Sequence, residues 1–146
     1  MQYTEQLSQA LSLIATIHPA SYSAKTSSDG VDMRLFRRVI FVINNGVIGA
    51  NTVAAAVTGS TDNSTFATTI TGKSLTAGAF SGTIDNNKEA IIEVTAEECE
   101  TAGVRYIRLD LTPSGAALLS AVALAGVARY EPASDYNLAS VNEIVA

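Results

Sequence analysis

The stretch Val39-Ile40-Phe41-Val42-Ile43 constrains the fold more than any other part of the chain. Five consecutive apolar residues, four of them β-branched, are too few for a membrane span and poorly suited to a helix. They stop at Asn44-Asn45-Gly46, a turn signal. The pattern predicts a buried central strand running into a tight turn, with Thr52 to Thr58 as its neighbour. Further short runs follow at Phe66 to Ile70, Ala90 to Val94, Val104 to Leu111 and Ala117 to Val127. They are separated by turn residues such as Asp62-Asn63-Ser64, Asn86-Asn87 and Pro113-Ser114-Gly115, at intervals of about 8 to 12 residues. This spacing predicts a mainly β fold, an antiparallel β-sandwich or barrel of about six to eight strands.

Two strands need further argument. Val104 to Leu111 alternates apolar and polar residues but slips once at Tyr106-Ile107, which points to a bulge or to two covered faces. Ala117 to Val127 is nearly all Ala, Leu and Val, and Ala and Leu lead the helix scale. Its position after a Pro-Ser-Gly turn and its flanking Gly115 and Gly126 favour a strand, the hairpin partner of the run before it.

The ends differ from the middle. Leu7, Ala10, Leu11, Ile14 and Ile17 recur at spacings of three and four, which predicts an amphipathic helix over Thr4 to Ile17 ended by Pro19. From Tyr130 onward Tyr136, Leu138, Val141 and Ile144 are scattered among polar residues, an extended arm with little to bury by itself. The chain therefore divides into a helical N-terminal arm over 1–20, a β-sandwich core over 21–129 and a C-terminal arm over 130–146. Between the strands, Thr95-Ala96-Glu97-Glu98 fits a capping box opening one helical turn that ends near Gly103.

Composition narrows the function. Charged residues are 16 % of the 146, against about 25 % in ordinary domains, and 15 Thr, 14 Ser and 8 Asn supply the polar surface instead. The net charge of -5 argues against a nucleic-acid binder, which needs a basic face. No run of about 18 apolar residues or secretory pattern occurs, so neither a membrane span nor an export signal is expected. One Cys and one His cannot build a zinc cluster. His18 reads as a helix-end residue, and Cys99, between Glu98 and Glu100, as a poor nucleophile. Glu97, Glu98 and Glu100 read as a solvated cap rather than a calcium site. No catalytic, cofactor-binding or metal-binding residues are expected, and no cofactor.

Arg34, Arg37 and Arg38 form the densest basic cluster. They read either as a contact for an acidic neighbour or as strand-end charges that guard an edge. Together with Leu7, Leu11, Ile14 and Ile17 of the expected helix and Tyr130, Tyr136, Leu138, Val141 and Ile144 of the tail, they are the candidate partner-binding residues.

Four stretches resemble a known family. Gly30-Val31-Asp32-Met33 leading into Arg38-Val39-Ile40-Phe41-Val42, then Gly59 to Phe66, then Val104-Arg105-Tyr106-Ile107-Arg108-Leu109, then Ala121 to Gly126 followed by Ala128-Arg129-Tyr130-Glu131-Pro132, resemble in order a family of small proteins from head-gene clusters of tailed bacteriophages. The resemblance runs from about His18 to Ala133 and leaves the two ends outside it. It implies a virion structural protein without enzymatic activity: a capsid decoration or cement protein on the capsid exterior, made in the bacterial host cytoplasm. Its partners would be the major capsid protein and further copies of itself, with a trimer as the candidate assembly. A tail, neck or fibre-associated virion protein is the alternative, and a carbohydrate-binding β-sandwich module a second, weakened by the lack of Trp.

Overall fold

A computed structural model describes residues 6–75, 80–82, 84–130 and 132–145. In chain order the elements are helix α1 (Leu7–Ala10), strands β1 (Leu11–Tyr22), β2 (Thr26–Ser27), β3 (Val31–Asp32), β4 (Phe36–Asn45), β5 (Thr52–Ser60), β6 (Thr68–Ser74), β7 (Phe80–Ser81) and β8 (Glu89–Thr95), helix α2 (Ala96–Thr101), strands β9 (Tyr106–Pro113) and β10 (Ala117–Ala128), and a 3-10 turn at Ala133–Tyr136. The strands form two antiparallel sheets packed as a sandwich. One is four-stranded in the order β1-β10-β4-β8. The other is six-stranded, with β2-β9-β5-β6 in sequence, β3 also on β9 and β7 also on β5.

Alternation builds the layer between them. Val39, Phe41 and Ile43 of β4 and Leu119, Ala121, Ala123 and Ala125 of β10 point inward from the first sheet, and Val53, Ala55, Val57, Ile107, Leu109 and Leu111 from the second. At about 25 cal/mol per Å² of apolar area, this layer is the main source of stability. The Ala117 to Val127 run is a strand as expected, because its odd-numbered positions face the core in register with β4.

The short N-terminal helix is present, but its expected extent over Thr4 to Ile17 is corrected. Residues 1–5 lie outside the described part, α1 is one turn, and Leu11 onward is strand β1 along the edge of the four-stranded sheet. The helix-like spacing has a local cause. β1 buries Ser12 and Ile14, slips register between Leu13 and Ala15, and then buries Ala15 and Ile17. The bulge thus puts the successive residues Ile14 and Ala15 on the buried side, so that Ile14 and Ile17 share a face at a separation of three. The segment set apart as an N-terminal arm contributes a full strand to the sandwich.

Both expected hairpins are also corrected. β4 and β5 lie in different sheets, as do β9 and β10. Residues 46–51 cross from one sheet to the other and bury Ile48 completely on the way, and Ser114-Gly115-Ala116 makes the second crossing. Turn residues mark where a chain reverses, not which layer it re-enters. The slip at Tyr106-Ile107 is the start of β9: Val104 belongs to the preceding loop, where its N–H donates to the Cys99 carbonyl. The run placed at Phe66 to Ile70 is β6, which begins at Thr68.

The capping box is present. Thr95 Oγ1 accepts from the Glu98 N–H, and Glu98 Oε2 accepts from the Thr95 N–H at 2.9 Å. Gly103 closes the turn after α2 at φ +70°, a conformation that side chains resist.

Candidate interaction surface

The two outward faces of the sandwich have opposite chemistry. On the six-stranded sheet the outward residues of β9 are Tyr106, Arg108, Asp110 and Thr112, beside Thr58 of β5. Asp110 is only 4 % exposed although it lies on this outer side. Its carboxylate accepts from Ser27 Oγ at 2.6 Å, Thr58 Oγ1 at 3.0 Å and Arg108 Nε at 2.9 Å, and pairs with Lys25 Nζ at 2.9 Å. Burial alone would raise its pKa. The donors Ser27, Lys25 and Thr58, with the Arg108 charge, outweigh that and hold it below the usual carboxylate value. Such a face is finished by its own hydrogen bonds.

The four-stranded sheet is different. Strand pairing sets Leu13, Leu124 and Ile40 in one outward row, with Thr16, Val122, Val42 and Ile91 in the next. Ile40, Val42, Val122 and Leu124 are half-buried and Ile91 is 66 % exposed. Polar residues sit at the margins: Glu89 and Glu93 on β8, Asn44 and Ser120 at one end, Arg38 at the other. Arg38 Nη1 donates to Glu93 Oε1 at 3.1 Å, so opposite charges are already paired at the rim.

The C-terminal segment borders this face. After the 3-10 turn, Asn137 Oδ1 accepts from the Leu13 N–H at 2.7 Å, and the Leu138 N–H donates to the Leu13 carbonyl at 2.8 Å. These bonds occupy the free edge of β1 beside its first bulge. Tyr136 packs edge-on against Phe36, with ring centroids 5.3 Å apart. Val141 and Ile144 then form, with Leu7, Leu11, Leu13 and Leu124, the walls of an open and predominantly apolar groove of about 300 Å³.

The expected partner-binding residues are therefore scattered. Leu7, Leu11, Val141 and Ile144 meet in one groove, whereas Ile14 and Ile17 face the core and present no surface, which corrects the helix stripe. Tyr136 and Leu138 contact the chain's own body, and Tyr130 is exposed with the Arg129 guanidinium 6.0 Å from its ring. Arg34, Arg37 and Arg38 lie exposed around the start of β4. Sequence reading missed Leu13, Ile40, Val42, Ile91, Val122 and Leu124. The signal for Ile40 and Val42 was present: an uninterrupted apolar run is the mark of a strand covered on both faces, and here a single face is covered.

The groups with reactive potential are placed as follows. His18 is exposed, and its carbonyl accepts from Tyr22 Oη at 2.8 Å. Cys99 is 1 % exposed, and burial together with the neighbouring Glu98 pushes its thiol up to about 11, so it stays protonated at neutral pH. It lines a cleft of about 520 Å³ with Met33, Arg34, Glu100, Val104 and Arg105. Arg105 is held there by Asp32, Nη2 to Oδ2 at 2.6 Å. Among the described residues no three His, Cys, Asp or Glu side chains are grouped to hold a metal ion. Among the described residues no helix is long and apolar enough to cross a membrane.

No protein-family model matches the chain, and no curated protein does. Among solved structures it is similar to that of infectious bursal disease virus Gt strain, at 10 % identity and a TM-score of 0.43 over 85 % of this chain and 35 % of that one. The crystal structure of the infectious bursal disease virus VP2 subviral particle gives 13 % identity and a TM-score of 0.44 over 84 % and 34 %. The Gx strain gives 9 %, 0.40, 85 % and 34 %. The chain thus spans about a third of each of those chains.

Proposed function

We propose that this protein is a structural component of a bacteriophage virion, a capsid decoration or cement protein that works by covering and gripping other polypeptides rather than by catalysis. The observation that carries the reading is the outward apolar face of the four-stranded sheet. A freely soluble sandwich keeps its outer faces polar, as the six-stranded sheet does here. The resemblance of four stretches, in order, to head-cluster proteins supports the phage setting.

Stabilisation of a shell by such a protein is physical. Each copy removes apolar area from water across a seam between capsid subunits, after the costs of ordering and docking are met. Repetition over the shell multiplies a modest single-site affinity, because a copy held at several contacts rebinds before it drifts away. The short polar side chains that replace Lys and Glu on much of the surface lose little rotamer freedom on docking.

The test is addition of purified protein to phage heads that lack it, followed by a particle reconstruction. Regular density on the head exterior and a higher temperature for release of packaged DNA are expected. Density confined to tail or neck would replace the decoration reading with the tail-associated one, and no binding to any particle would overturn both.

A further inference from the structure

We infer that the outer face of the four-stranded sheet is the contact through which this protein binds a second copy of itself, with Ile40, Val42, Val122 and Ile91 at its centre. The inference rests on the proposed reading that this face is covered by other polypeptides, and names a second copy of the chain as what covers it.

Four properties of the face point to a second copy. The two central strands, β4 and β10, are apolar on both sides, as strands between two covering layers are, yet the sandwich supplies one layer only. The side-by-side route to a larger sheet is obstructed: β8 carries Glu89 and Glu93, and β1 carries Pro19, two register shifts and the tail bonds to Leu13. Association through this sheet therefore uses its face and not its edges.

The size fits as well. Four strands about 4.8 Å apart and a central strand of ten residues give a face of roughly 19 by 33 Å, on the order of 600 Å² in projection, close to the roughly 800 Å² per partner of a standard interface. The charges fit a like partner too. The centre is neutral, and Arg38 and Glu93 on neighbouring strands can exchange partners across a two-fold axis, since in such an interface each patch meets its own copy. An anionic membrane or nucleic acid would meet Glu89 and Glu93 instead. Flat rows of Ile and Val are the surfaces that sheets present to each other when they pack face to face, as the two sheets do inside this molecule.

The experiment is sedimentation velocity of the full chain across micromolar concentrations, comparing the wild type with Ile91→Glu, Val42→Glu and, on the opposite outer face, Thr112→Glu. The wild type and Thr112→Glu are expected to sediment as dimers or larger, and each variant on the proposed face to weaken association about tenfold or more. Ile91 is 66 % exposed, so its replacement leaves the fold intact even if Val42→Glu does not. A wild type that stays monomeric overturns the inference, as does association that Ile91→Glu leaves unchanged or that Thr112→Glu weakens equally. A monomer that still decorates heads would remove this contact and keep the virion reading; a dimer that binds no particle would do the reverse.

Discussion

The N–H of Leu13 donates to Oδ1 of Asn137 at 2.7 Å, across a sequence separation of 124 residues. With the neighbouring bond from the Leu138 N–H to the Leu13 carbonyl, it fixes the tail to the strand edge beside the first bulge of β1. β1 is the edge strand of its sheet, so these outward backbone groups have no strand partner, and the tail satisfies them. Sequence spacing hides this relation, because an Asn in a polar tail carries no sign that it ends on a strand edge far away.

Asn137→Ala should therefore cost about 1 to 2 kcal/mol, the value of a partly buried backbone N–H left without its acceptor. Urea unfolding would show the loss, and hydrogen exchange at the Leu13 and Leu138 amides should accelerate. Asn137→Asp keeps an acceptor oxygen and should restore most of both.

Asp110 gives a pH dependence with a defined sign. Its folded pKa lies below the ordinary value, so its contribution is complete above the unfolded pKa of about 3.9 and is lost as the pH falls through the folded value. Asp32 shifts in the same direction, through Arg105, after burial is offset. The urea midpoint should stay level down to about pH 5 and fall below about pH 4. Asp110→Asn should lower stability at pH 7 by about 2 kcal/mol and flatten the acid limb.

Val127 sits at φ +53°, where a β-branched side chain is strained, and it is 53 % exposed, so little burial is at stake. Val127→Gly should raise stability by about 0.5 to 1 kcal/mol after the glycine's extra chain entropy is subtracted. Thermal unfolding checks it, and a lower Tm would show that the valine side chain holds a contact that outweighs the strain.

Ser12 Oγ is buried on the inner side of β1 with no hydrogen-bond partner among the described residues. Ser12→Ala removes an unsatisfied hydroxyl from beside Ala125 and should stabilise by about 1 kcal/mol, read as a higher urea midpoint with an unchanged slope.

Strand identity was legible wherever a run met its own punctuation. Val39 to Ile43, Ala90 to Val94 and even the helix-favouring Ala117 to Val127 fall inside observed strands, because burial in a sheet overrides local propensity. The Thr95 capping box was legible because both partners lie within four residues. β1 was not, because a bulge between Leu13 and Ala15 imitates helical spacing. The two sheet crossings were not, because Asn-Asn-Gly and Pro-Ser-Gly fix a reversal without fixing the layer that follows. At the candidate surface, Leu11, Val141 and Ile144 were named from sequence, but the exposed side of β4 was hidden inside a run that looked wholly internal.

The order β1-β10-β4-β8 places the last strand of the chain in the middle of its sheet. On the ribosome, Val39 to Ile43 emerges long before residues 117–128, which must slot between it and β1, so this half of the molecule can close only after that later strand has been made. Until then an uncharged, β-branched segment waits without its neighbour, open to pairing with other nascent chains. Yield in the host should thus depend on elongation speed and holdase chaperones more than on the stability of the finished fold.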